Sequence, residues 1–200
     1  MEKLGIKAVT FGFLSNFFLF LLKLYIGISS GSLAVYCDSI NNLADTLSCT
    51  VAFAGFLFIM KLDEKRGTRV QALSALIISL VLMVTGAYFA YNGMERTIYP
   101  INVSFSKIYF ILLILTVFVK ILMGIVYISV NKKHPSSVFK GLIVDSFLDC
   151  AITLAAILGF TLSVKINFVI DGIISIVIGL AVAISSAKTA YTQAKFLIND

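Results

Sequence analysis

The chain has 200 residues, 60% of them hydrophobic and only 13% charged, with two prolines and a mean hydropathy of +1.02. A soluble domain of this size carries roughly 25% charged residues, so the composition excludes one and indicates a membrane protein. The net charge of +6 does not indicate a nucleic-acid surface, because the basic residues sit between apolar runs with little aromatic interleaving.

Crossing a bilayer takes about 20 apolar residues as a helix, and six stretches qualify. The first, near 8–28, follows Lys3 and Lys7 as a signal peptide would. Its length, the central Lys23 and the lack of an Ala-x-Ala site make it a retained span. The second, near 33–60, contains the polar run "CDSINNLAD" at 37–45. The third, near 71–92, follows the loop "KLDEKRGTR", and the fourth, near 106–130, carries Lys120. After it comes "NKKHPSS", which holds the single histidine, His134, in an expected solvent-exposed loop. The fifth, near 138–163, contains "VDSFLDC", and the sixth lies near 166–187. The expected fold is an all-α membrane protein, a bundle of six transmembrane helices forming one domain over 1–200. No linker or low-complexity tract divides it, and no C-terminal cytoplasmic domain is expected after the last span. Cys37, Cys49 and Cys150 fall inside apolar runs, as small buried residues rather than a disulfide framework.

Loop charge sets the orientation, since cytoplasmic loops are enriched in Lys and Arg. Lys3, Lys7, Lys61, Lys65, Arg66, Arg69, Lys132, Lys133, Lys188 and Lys195 lie on one side. The other side offers Arg96, Lys107 and Lys165. Both termini are therefore expected in the cytoplasm.

The polar run in the second span is costly, at about 2.5–3.5 kcal/mol for each central charge. Helix positions four apart share a face, with Cβ atoms about 5–6 Å apart. Asn41 and Asp45 thus form one ledge, and Asp145 and Asp149 form another. Asp38, Asp45, Asp145, Asp149 and Asp171 are all intramembrane on this reading, against only Lys23 and Lys120. The carboxylates could act as packing glue with those lysines and nearby Ser, Thr and Asn groups. Two lysines cannot neutralise five carboxylates, however, and the surplus negative charge favours protons or a moving cation. At 1.5 Å rise per residue, Asp45 and Asp149 lie roughly 18 Å and 21 Å in from the outer end, so the ledges can face each other. Three carboxylates and a carboxamide form an all-oxygen site, which suits a hard divalent ion. Magnesium sheds water reluctantly, which leaves manganese or ferrous iron. Cys49 continues the same face. Asp38 is expected as a helix-start cap or access-path group, with a ligand role as the lesser alternative. Asn42 is expected as packing glue, and Asp171 as a dipole-favoured carboxylate at the start of the sixth helix or a group of the outer access path.

These residues resemble the cation diffusion facilitator, or cation efflux, family. The stretch "SGSLAVYCDSINNLADTLSC" is similar to the family's Gly-Ser-x-Ala-x-x-x-Asp-x-x-His/Asp/Asn-x-x-x-Asp pattern, and "DSFLD" and "FVIDGIISIVIGL" resemble its fifth and sixth helices. The resemblance implies a homodimeric transporter in the plasma membrane that exports divalent metal from the cytoplasm in exchange for protons. It is no enzyme, and its metal is cargo rather than a cofactor. The metal site would be Asn41, Asp45, Asp145 and Asp149, a set associated in that family with manganese, with zinc or iron as the alternatives. Two departures stand out. The family's usual cytoplasmic domain is not expected here, as in a minimal short form or a fragment, and this admits a second reading as a truncated partner that modulates a full-length exporter. Gln71 also stands where Glu is usual in "RGTRVQAL".

Overall fold

The computed structural model describes residues 2–61, 64–133 and 137–199, and His134 and its expected loop lie outside them. Six helices account for nearly all of this: α1 (Glu2–Ser30), α2 (Leu33–Lys61), α3 (Glu64–Ile98), α4 (Lys107–Lys133), α5 (Ser137–Lys165) and α6 (Val169–Asn199). Each corresponds to one expected span, although α6 begins at Val169 rather than near 166. α3 and α6 overrun theirs because no proline interrupts the helix beyond the apolar stretch at those ends.

The breaks have local causes. Gly31 takes the left-handed conformation, φ +72°, that closes the turn after α1. Ser32 then caps α2, its Oγ accepting from the Val35 N–H at 3.3 Å. Pro100, two residues past the end of α3, prevents its continuation. At the start of α6 the Asn167 side chain accepts from the Val169 N–H at 3.1 Å.

Among the described residues, five helices are long and apolar enough to cross a membrane: α1, α3, α4, α5 and α6. Their large apolar side chains face outward, as Leu14, Phe18, Leu21, Tyr25 and Ile28 do along one face of α1. A soluble protein does not expose apolar surface on that scale. Exposed Tyr25, Tyr88, Tyr91 and Tyr99 cluster toward the Gly31 end, as a membrane-interface belt does. The chain is an integral, multi-pass membrane protein. α2 carries the polar run Asp38, Asn41, Asn42 and Asp45 in its first half.

The helices pack chiefly as three pairs, α1 with α2, α4 with α5 and α3 with α6, and α2 also touches α3, α5 and α6. The α3–α6 seam is built on glycines seven residues apart on each helix. A Cβ on Gly179 would lie 2.6 Å from the Ala90 nitrogen and 2.7 Å from the Gly86 oxygen. One on Gly93 would lie 2.8 Å from the Gly172 oxygen. The two backbones therefore touch, which is how small residues join helices in lipid. Between α1, α2, α4 and α5 the interior is layered. One apolar cluster includes Ile26, Val35, Leu113 and Phe160, and the other includes Val9, Cys49, Met123 and Tyr127. The polar residues lie between them.

Candidate metal site

All four expected site residues line one cavity of about 780 Å³, Asn41 and Asp45 from α2 and Asp145 and Asp149 from α5. Small residues of α3 and α6, among them Ala75, Ser79, Ala181 and Ser185, complete its wall. The lining continues along α6 to Lys188 and Thr189, toward the helix ends that carry the basic connections.

The ledges do meet. Asn41 donates its Nδ2 hydrogen to Asp149 Oδ1 at 2.5 Å. This pairing sets Asn41 against Asp149, whereas depth counting matched Asp45 with Asp149. Antiparallel helices bring the outer member of one ledge to the outer member of the other.

A fifth residue joins them. Lys120 reaches in from α4 and donates to Asp45 Oδ2 at 2.7 Å, Asp149 Oδ2 at 2.5 Å and Asn16 Oδ1 at 2.7 Å. Its side chain is 1% exposed. The ammonium lies between carboxylates of two different helices, so part of the packing-glue reading holds for Asp45 and Asp149. Asp145 differs: it lines the cavity and makes no hydrogen bond or ion pair among the described residues. Nor do the described residues include three His, Cys, Asp or Glu side chains gathered tightly enough to hold a metal ion. Two acids are drawn to Lys120, and the third stands apart.

The remaining buried charges are paired. Lys23 and Asp38 form an ion pair of 2.9 Å with both side chains fully buried, and Lys23 also donates to Thr153 Oγ1 at 2.7 Å. Asp38 is thus a tie between α1, α2 and α5 rather than a free access-path group. Asp171 caps the neighbouring helix rather than its own. It accepts from Ser32 Oγ at 2.5 Å and from the Leu33 and Ala34 backbone N–H groups at 2.7 and 3.4 Å, at the start of α2. Arg96 approaches it at 3.7 Å and donates to the Gly31 carbonyl. Asn42 is buried and bonds back to the Asp38 carbonyl at 2.8 Å, which is local helix packing. Cys49 is buried too, with Asn16 Nδ2 3.9 Å from its sulfur.

Sequence reasoning missed Asn16 as a partner of Lys120, although a lone carboxamide in the first span was a visible signal. It also missed the seam, whose sign was the sevenfold spacing of Gly86 and Gly93 and of Gly172 and Gly179.

A lipid-facing helical bundle with a polar layer and a cavity reaching it from one end is the build of a membrane transporter. The chain belongs to the cation efflux family, the model of whose transmembrane domain, described as "Cation efflux transmembrane domain", matches residues 9–198. This family is one of transporters and not of enzymes, and its cargo is metal cations. A search of curated proteins gave no match.

Proposed function

We propose that this protein exports a divalent metal ion, manganese before zinc or iron, from the cytoplasm in exchange for protons. All six helices cross the bilayer in this reading, with both termini cytoplasmic, as a homodimer in the plasma membrane. The observation that carries it is the cavity joining Asn41, Asp45, Asp145 and Asp149 to the basic helix ends. A cavity in that position suits an inward-facing carrier awaiting cytoplasmic metal. Loading would bring Asp145 toward Asp45 and Asp149, with the Asn41 amide turned to present its oxygen. The cavity would then close and the site open outward, where protons compete for the same oxygens.

The purified chain in proteoliposomes should move manganese, with flux that responds to an imposed proton gradient. Asn41→His replaces a hard oxygen with an imidazole nitrogen, which favours zinc over manganese. The zinc-to-manganese transport ratio should therefore rise, and an unchanged ratio would remove Asn41 from the metal site. If the wild type moves none of manganese, zinc, iron or cadmium, the transport reading fails. A second reading then stands, that of a non-transporting partner of a full-length exporter, and the Lys120 bridge is the observation that favours it.

Orientation has its own check. A cysteine placed at Asn102 should react with an impermeant maleimide added to intact cells, because the 99–106 connection is on the outer side. Labelling only after permeabilisation would reverse the topology and the direction of transport with it.

A further inference from the structure

The reading above uses the carboxylates and Asn41 and leaves Lys120 without a part. The α4 and α2 backbones do not come close together among the described residues, yet the Lys120 ammonium reaches across to Asp45. An ammonium has three hydrogens to donate, and here all three are used, on Asp45, Asp149 and Asn16. Beside them lies a small void of about 10 Å³ whose lining includes Asn16, Lys120, Tyr127 and Ser146. Tyr127 is 1% exposed, and its hydroxyl oxygen has no well-formed hydrogen bond among the described residues, the Cys49 thiol beside it being a weak partner. That hydroxyl is held in place, for a Cβ on Gly12 would collide with it. A buried hydroxyl without a strong partner is uncommon in native proteins and calls for an explanation.

We propose that Lys120 is a tethered cation with two stations. In the empty carrier its ammonium bridges Asp45 and Asp149. When a divalent ion takes those carboxylates, the ammonium withdraws onto Asn16 and the Tyr127 oxygen. The inference deepens the transport reading and rests on it.

The chemistry supports both stations. Asn16 Oδ1 is already a partner, so withdrawal keeps one hydrogen bond and gains another at Tyr127. Three carboxylates against one ammonium and one divalent ion sum to neutrality, so Lys120 need only move aside within the bundle. In the empty carrier the same ammonium keeps Asp45 and Asp149 from facing each other as bare like charges. Lys120 thereby cuts the charge of the metal-free site from −3 to −2. The protons carried back in exchange offset the rest, so the site can reorient through the low-dielectric bundle, where uncompensated charge is costly. Lys120 would therefore weaken metal binding and speed the return of the empty carrier.

Two variants in proteoliposomes test this, with manganese(II) as the probe in three measurements: equilibrium binding, manganese–manganese exchange and net efflux. Lys120→Met removes the competing charge. It should bind manganese at least about tenfold more tightly, keep exchange, which needs no empty return, and lose most net efflux. Tyr127→Phe removes the second station and should weaken binding by about threefold to tenfold. A merely structural lysine would lower exchange and net efflux together and would not shift the two affinities in opposite directions. Unchanged or weaker binding in folded Lys120→Met, or wild-type affinity in Tyr127→Phe, overturns the proposal. If Lys120→Met does not fold, Tyr127→Phe decides alone. A wild type that moves no manganese overturns the transport reading and this inference with it, whereas failure confined to the variants overturns only the inference.

Discussion

Asp145→Asn should abolish metal efflux while leaving the protein's thermal stability within about 0.5 kcal/mol of the parent. The substitution keeps size and polarity and removes one negative charge from a side chain that has no hydrogen bond or ion pair among the described residues. Nothing in the fold relies on that charge, so a large functional loss without a stability loss would mark it as a ligand. Asp149→Ala should also abolish efflux but at a structural cost. It strips a partner from Lys120 and from Asn41, and breaking a buried ion pair costs about 3–5 kcal/mol. The remaining contacts of Lys120 to Asp45 and Asn16 should keep that cost toward the lower figure. Flux in proteoliposomes and melting in detergent, measured on both variants, separate the two roles. Normal transport by both would return the carboxylates to packing alone.

Gly179→Leu should be the most damaging single change to the fold. Even a methyl group there would lie 2.6–2.7 Å from backbone atoms of α3. Backbone cannot move aside as a side chain can. Overpacking by alanine costs about 1–3 kcal/mol, and leucine at a seam where two backbones touch should force α3 and α6 apart. The expected result is loss of the folded monodisperse protein on extraction, with Gly179→Ala intermediate. Gly141→Ala is the control, since a Cβ there meets nothing within 4 Å. A Gly179→Leu protein that melts at the parent temperature would show that the seam is not tight.

Much of this was legible in the sequence. Apolar runs of bilayer length located all six helices, because a helix in lipid must satisfy its own backbone and so follows the hydrophobic stretch. The i, i+4 spacing of Asn41 with Asp45 and of Asp145 with Asp149 identified the two ledges that share the cavity. What the spacing could not supply was which cation faced which acid. Lys23 and Lys120 were both visible as buried charges, yet a lysine reaches its partner along a flexible four-carbon stem, and only the packing of α1, α2, α4 and α5 decides between Asp38 and Asp45. Asp171 shows the same limit. It does sit in the first turn of α6, as the dipole role expects, but its position could not show that the carboxylate also reaches the start of α2, where unpaired N–H groups are concentrated.

The fully buried Lys23–Asp38 pair also bears on how the nascent chain enters the bilayer. Asp38, Asn41, Asn42 and Asp45 lie in the first half of α2, and this helix leaves the ribosome directly after α1. A lone aspartate in a translocating segment opposes its partition into lipid by about 2.5–3.5 kcal/mol. Lys23 has the matching burden and sits in the preceding helix, joined by the short turn at Gly31. The two segments therefore favour partitioning as one hairpin whose charges have already met. The pair that stays hidden in the finished bundle would serve first as the passport for the helix that carries Asn41 and Asp45.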